Sequence, residues 1–498
     1  MTPKRKLLVS LILAFCILSA SLIFGRSFQN LEDKISRIEN SLVPMPGIVI
    51  KGESIPKSTL KERMELYKVP GVSIAVINGY RIEWVRSYGV TEAGSKNSVT
   101  SDTMFQAASI SKPVAAMAVL YYIEQGLLEL DEDINDKLIS WKVPDEELTR
   151  EEKVTLRRLL SHSAGMTVHG FPGYRHDKEV PTVHQILDGR APANTKEIRV
   201  DTKPGTIWRY SGGGYTILQQ LLIDILNKPF PDIIEDVVLY PLEMTNSTYE
   251  QPLPDRFKTQ AATAHHLTGR PVKGRWHTYP ELAAAGLWTT PTDLARLAIE
   301  VMLAYKGLSN KVLNQGMIKE MLTVQKGNYG LGFSIKGRGE DIQFSHGGSN
   351  IGYKCMLIAF PERGQGVVVM TNGDHGANLF SEINFSLAAE YGWKDYLPSI
   401  RETVPLSEDI LESYVGEYKI SKTRTITISN EEGQLYIDPI YVVPSGSSKC
   451  AIYPRTESAF FTTATNAQIS FKRNREGHVT SLTTPKSGKF DFELLPAG

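Results

Sequence analysis

The chain has 498 residues, 41% of them hydrophobic and 22% charged, which is the profile of a folded globular protein too long for one ordinary core. Lys plus Arg and Asp plus Glu are equal at 55 each, so no charge excess points to a nucleic acid or an acidic partner. The three cysteines, Cys16, Cys355 and Cys450, are too few and too scattered for a disulfide framework, and they disfavour a Cys-based zinc site.

In chain order, Lys4-Arg5-Lys6 and the charge-free apolar run Leu7 to Phe24 read as an export signal. The run sits at the lower edge of the roughly 17–25 residues that cross a bilayer. Residues 1–27 are therefore assigned as a signal peptide or a signal anchor. Ser19-Ala20-Ser21 offers a small-x-small cleavage site inside the run, and the large Phe15 before Cys16 argues against a lipoprotein. On either reading the basic flank stays cytoplasmic and the body is extracytoplasmic, secreted or anchored to the membrane by this segment. Residues 28–56 read as a spacer.

Gly71 to Ile77 alternates small and β-branched residues as a strand does, Asn78-Gly79 is a hairpin signal, and Ile82 to Val85 is a second strand. Helical patterns follow at Lys112 to Leu127, Thr155 to Leu160, Tyr215 to Leu226 and Thr292 to Ala304. Strands return at Phe344 to Ser345, Cys355 to Phe360 and Val367 to Thr371. This order predicts an α/β (α+β) domain over 57–395, with a sheet assembled from both ends and helices on both faces. Pro398 and Pro405 mark a linker at 396–410, and a short helix is expected over Leu406 to Tyr414. Over 411–498, short alternating runs such as Thr425 to Ile428, Gln434 to Ile437, Ala459 to Phe461, Gln468 to Phe471 and Val479 to Leu482 predict a small antiparallel sandwich or barrel. No cluster of titratable residues there suggests catalysis, so it reads as an accessory domain.

The chemistry concentrates at Ser109-Ile110-Ser111-Lys112, at the start of the long apolar helix. Three residues apart at a helix start, Ser109 and Lys112 share a face, and an amine within reach of a hydroxyl is what an activated serine needs. The pattern alone is weak, since Ser54 to Lys57 and Ser58 to Lys61 repeat it. The second segment is Pro204 to Gly212, where Tyr210 sits on a loop before a helix starting near Gly214; nearby ammonium groups would lower its pKa and make it a general base. The third is Phe344 to Ser349, where His346 precedes Gly347 and Gly348, glycines that allow close backbone approach by a ligand. His162, in Leu159 to Gly165, reads as a polar loop residue holding a turn, without a catalytic part. A Gly-x-Ser-x-Gly elbow is absent, Gly347 to Ile351 failing at its last position, and adjacent His265-His266 cannot easily share a metal ion.

Taken in order, these segments resemble the serine β-lactamase and penicillin-binding-protein family, closest to its class C and DD-peptidase/esterase branch. The resemblance spans roughly Lys57 to Trp393 and includes Ala285 to Ala295 and Tyr329 to Phe333. It implies a β-lactamase/transpeptidase-like domain with a central antiparallel sheet and an acyl-enzyme on Ser109. Lys112 and Tyr210 would share the proton transfers, Tyr210 also protonating the leaving group, and the backbone N–H groups of Ser109 and Ser349 would form the oxyanion hole. His346, Gly347, Gly348 and Gly212 would bind substrate, and no metal or organic cofactor is needed. Two departures stand out: Gly212 replaces the family's asparagine, and His346 replaces the lysine common in β-lactamases. Both weaken the case for efficient penicillin hydrolysis, so the resemblance implies a DD-peptidase, D-aminopeptidase or esterase acting on a small-molecule or peptide acyl donor, peptidoglycan-derived among the candidates. The alternative is a non-catalytic binding or sensor module at the cell surface, against which the intact Ser109, Lys112 and Tyr210 argue.

Overall fold

The computed structural model describes residues 29–421, 424–442, 446–483 and 491–494. The expected export segment lies outside the described residues. Among those described, no helix is long and apolar enough to cross a membrane. Two compact units divide the chain: Tyr67–Phe380 forms one, and Met1–Leu66 with Ser381–Gly498 forms the other.

The first unit is built on a six-stranded antiparallel sheet. Its strands are β1 (Gly71–Asn78), β2 (Arg81–Gly89), β3 (Ser334–Lys336), β4 (Gln343–Asn350), β5 (Tyr353–Phe360) and β6 (Gln365–Thr371). They lie in the order β2-β1-β6-β5-β4-β3, so the two early strands dock on the late ones through the β1–β6 pair. The first hairpin turns one residue later than expected. Gly79 and Tyr80 both take positive φ (62° and 59°), as a tight two-residue turn requires, and Asn78 pairs with Arg81 inside the ladder. Tyr80 tolerates this because its hydroxyl donates to the carbonyls of Pro361 and Glu362.

Val72 to Ile77 of β1 are all buried, so both faces of the sheet are covered. Helix α1 (Ser111–Glu124) is buried without a break from Ser111 to Leu120, which explains its run of alanines and aliphatics instead of one apolar stripe. Helix α2 (Gly212–Leu226) starts at Gly212 and not near Gly214, because the Ser211 hydroxyl accepts from the Gly214 N–H and caps it two residues earlier. Helix α3 (Pro291–Tyr305) likewise starts on a Thr290 cap with proline in its first turn, and it packs on the sheet.

The second unit combines the described N-terminal residues with the C-terminal part of the chain. The sequence spacer is structured there: residues 29–39 are helical, Ile35, Ile38, Leu42 and Val43 are buried, and Ile48–Ile50 forms a strand. That strand pairs in parallel with Ser399–Arg401, which falls in the expected linker. The compact unit Tyr67–Phe380 is shorter than the expected 57–395. Glu382, on helix α4 (Gly376–Tyr391), is held by Arg63 through two hydrogen bonds of 2.6 and 2.7 Å and accepts the Met45 N–H at 2.7 Å. Beyond a short helix, Glu408–Glu412, eight antiparallel strands from Gly416–Ser421 to Asp491–Leu494 close into a barrel, first strand pairing with last. Of the two sequence options the barrel is therefore correct, with Ile428, Ile437, Ile469, Phe471 and Leu482 in its core. Cys355 and Cys450 are both free thiols.

Candidate active site

Ser109 lies in a single tight turn, Ala108–Ile110, directly before α1. Ala108 is forced to a φ of +50°, an uncommon conformation for a residue with a side chain, and its carbonyl accepts the Ser111 hydroxyl at 2.5 Å. Ala107 donates its N–H to the Leu287 carbonyl and Leu287 returns one to the Ser111 hydroxyl at 3.0 Å, so the segment ending at Leu287 clamps this turn from behind.

One turn along, the Lys112 amine is 3.2 Å from the Ser109 hydroxyl oxygen and donates to the Ala284 carbonyl at 2.7 Å. That carbonyl is carried by a widened helical turn, Leu282–Gly286, whose Ala284 and Ala285 N–H groups bond to the Glu281 backbone carbonyl. Lys112 is 2% exposed, and among the described residues it has no carboxylate partner. Burial alone pushes its pKa down from 10.5 to about 7. Glu281 is buried too, which raises its carboxyl to about 8, so near neutrality it adds little charge beside the turn.

Tyr210 lines the same cleft as Ser109, and its ring centroid is 5.0 Å from the Lys112 amine. The expectation that it serves as a base fails on its surroundings. Burial raises its phenol above the usual value of 10, and a lysine pushed toward neutrality supplies no steady cation to lower it. Tyr210 therefore stays a phenol at neutral pH and can donate a proton.

His162 does hold a turn, and the turn it holds is that of Tyr210. Its carbonyl accepts the Arg209 N–H at 2.9 Å, its Nδ1 accepts the Ser211 N–H at 3.2 Å, and its ring lies 4.2 Å from the Tyr210 ring. An Nδ1 that accepts must be unprotonated, and burial followed by the Lys112 amine holds the imidazole well below its usual pKa. A histidine between Ser161 and Ser163-Ala164-Gly165 gave no sequence signal for this role, because the partner loop lies about fifty residues away.

Strand β4 forms the opposite wall. Its ladder with β5 runs unbroken through His346, Gly347, Gly348 and Ser349, without a bulge. Gly348 is required by the protein and not by a ligand: a Cβ there would fall 2.2 Å from the Ala107 carbonyl oxygen and 2.3 Å from the Cys355 sulfur. This close packing seats β4 against the Ser109 turn, and the Cys355 thiol donates to the Ala107 carbonyl at 3.0 Å. Gly347 has ordinary room, its nearest neighbour being 3.5 Å away. Beyond exposed Ser349, buried Asn350 ties the strand end to Gln106 at 2.8 Å and to the Ala285 carbonyl at 3.2 Å, a brace the sequence reading missed. His346 is buried; its Nδ1 is 2.7 Å from the Gly347 carbonyl, and burial followed by Lys112 lowers its pKa to about 3.

Gly212 stands apart from the reacting groups by its packing. A Cβ there would meet the Phe171 ring at 2.9 Å and the His169 carbonyl at 3.2 Å, so the loop before α2 fills the space an asparagine would need. Ser109, Tyr210, His346 and Ser349 open on a cleft of about 600 Å³ with aromatic and apolar walls, Trp208 and Phe380 among them. Among the described residues no three His, Cys, Asp or Glu side chains cluster to hold a metal ion.

The beta-lactamase family profile matches residues 57–389, and a domain of unknown function matches 401–496. Penicillin-binding protein 4 of Amycolatopsis lactamdurans is 24% identical over 342 residues, covering 65% of this chain and 86% of that protein. Unguisins hydrolase ungD of Aspergillus violaceofuscus is 24% identical over 247 residues, 45% of this chain and 40% of that one. The octameric penicillin-binding protein homologue from Pyrococcus abyssi superposes with a TM-score of 0.61 at 22% identity, over 87% of this chain and 98% of that chain, which shows a shared fold. With its profile match covering well over half its length, this chain belongs to the beta-lactamase family, whose homologues are serine hydrolases.

Proposed function

We propose that the protein is an exported hydrolase working through an acyl-enzyme on Ser109, of the peptidase or esterase kind, with slow or absent β-lactam turnover. The observation that carries this reading is the buried Lys112 amine, 3.2 Å from the Ser109 hydroxyl oxygen and held near neutrality by its surroundings. As the free amine it takes the hydroxyl proton while the serine oxygen bonds to the substrate carbonyl carbon. The Ser109 and Ser349 N–H groups receive the oxyanion, a contribution of about 3–4 kcal/mol per donor. The C–O or C–N bond then breaks, and the leaving group takes its proton from the Tyr210 phenol, which Lys112 reprotonates. Water adds to the acyl carbon, its proton returns through the same pair to the serine oxygen, and the acid product departs.

Gly212 and neutral His346 support weak handling of β-lactams, since neither supplies the side-chain amide nor the ammonium that such substrates meet elsewhere in the family. Intact-mass spectrometry after a fluorophosphonate and, separately, a fluorescent penicillin tests the reading. A fluorophosphonate adduct on the Ser109 peptide, lost in Ser109→Ala, is expected. A folded sample that takes neither label would favour a binding module. Cephalosporin turnover near about 10 per second would overturn the β-lactam part. Export rests on residues 1–27 and is checked by fractionating cells that express the full chain.

A further inference from the structure

Among the described residues lining the cleft beside Ser109, no lysine or arginine is left uncommitted for a substrate carboxylate. Lys354, on β5 opposite Ser349, is the one lysine or arginine among the described residues lining it. Its amine is already committed, donating to Asp374 at 2.8 Å and to the Asn350 carbonyl at 3.0 Å. Asp374 in turn is fixed by the Gly352 N–H at 2.8 Å, so the pair is a structural clamp on the β4–β5 turn and not a loose surface contact. His346 lines the cleft together with Ser109, and its ring centroid is 6.2 Å from that of Tyr210. Its Nδ1 faces a carbonyl oxygen, which only accepts, so the ring proton sits on Nδ1 and the buried Nε2 carries a lone pair with no partner among the described residues. A lone pair repels a carboxylate and accepts from an N–H or O–H. Trp208, Tyr329, Met356 and Phe380 add aromatic and apolar wall, and His169, Asn328, Ser334 and Ser345 add polar groups without a carboxylate, lysine or arginine among them.

We infer that this site selects acyl donors whose leaving group ends in an uncharged function, an ester or carboxamide, and discriminates against those ending in a free carboxylate. The inference rests on the acyl-enzyme reading and narrows it. A carboxylate entering the cleft would lose water without gaining an opposite charge, whereas a carboxamide loses less and offers N–H donors. The site would then act as an esterase or as an endo-type or amide-releasing peptidase, and not as a carboxypeptidase.

Matched depsipeptides test this: N-benzoyl-D-alanyl-oxyacetic acid against its carboxamide, in which the same ester bond is cut and only the end group differs. The full soluble chain is assayed at fixed ionic strength, with the hydroxy product quantified by mass spectrometry. A kcat/KM at least tenfold higher for the carboxamide is expected, and His346→Lys should shrink or reverse that ratio. Equal rates, or a preference for the carboxylate, would overturn the inference even if the lysine variant does not fold. The fluorophosphonate label separates the two levels. A labelled Ser109 with carboxylate preference sinks only the selectivity, whereas no label and no turnover of either ester sinks the hydrolase reading with it.

Discussion

Two cationic side chains in this protein, one part-buried and one buried, are housed in opposite ways. Arg63, 13% exposed at its side chain, meets the fully buried Glu382 in a two-pronged contact, and the Met45 N–H takes up more of the carboxylate's capacity. Lys112 has a hydroxyl and a carbonyl for company and aromatic rings around it. In the first site charge is neutralised by charge, so the arginine remains ionised and ties distant parts of the chain together. In the second the amine can lose its proton near pH 7, and a free amine beside a serine is a base. Structure is served by pairing and reactivity by withholding the partner.

The largest expected effects fall on that contrast. Lys112→Met keeps the length and apolar stem but removes the base, and fluorophosphonate labelling of Ser109 should slow by about 10³-fold. The same variant should be more stable by about 1–2 kcal/mol in a denaturant titration, because a desolvated amine has been replaced by an apolar group. Glu382→Ala should do the reverse, costing about 3–5 kcal/mol by stranding Arg63. A destabilised Lys112→Met would show that the lysine is structural and collapse the comparison. The pH dependence sharpens it. With the folded pKa of Lys112 lowered from 10.5 to about 7, the free amine dominates above about 7, so labelling should rise with pH through a midpoint there and fall away in acid. Stability should move the same way between 7 and 10.5, where the unfolded chain binds the proton that the folded one has released. A midpoint near 10 would mean that burial does not set the lysine's basicity.

Much of the scaffold was legible because local rules govern it. Alternation marked β1 and the barrel strands, and the helical pattern from Thr292 marked the start of α3 within a residue. Ser109, Lys112 and Tyr210 were singled out because their spacing and order carry chemistry, and the fold places the Lys112 amine 3.2 Å from the Ser109 hydroxyl oxygen with Tyr210 and Ser109 lining one cleft. What was missed is non-local. The described part of the expected spacer is fixed in large part by residues more than three hundred positions away, as Met45 with Glu382 illustrates. Tyr210 was cast as a base because sequence shows a lysine but not how dry that lysine is. Gly348 was read as room for a ligand, when the space is taken by Ala107 and Cys355.

The smallest expected effect concerns how the unpaired site is kept neutral. His162 anchors both peptide N–H groups flanking Tyr210, one on its carbonyl and one on Nδ1, at a φ of +58°. Asparagine suits that backbone and can place an acceptor oxygen near Nδ1, whereas alanine has neither property. His162→Ala should therefore slow acylation by about 10²-fold through a misplaced phenol, mainly in kcat, and His162→Asn should recover most of it. The two should also differ in titration. Alanine leaves a ring-sized space beside Tyr210 and Tyr215, the same rings that face the Lys112 amine, and water there would raise the lysine's pKa. The labelling midpoint should move above 7 in His162→Ala and stay near 7 in His162→Asn. An unchanged midpoint with a reduced rate would confine His162 to holding the tyrosine; a shift in both variants would mean that the dry pocket around Lys112 depends on the imidazole itself.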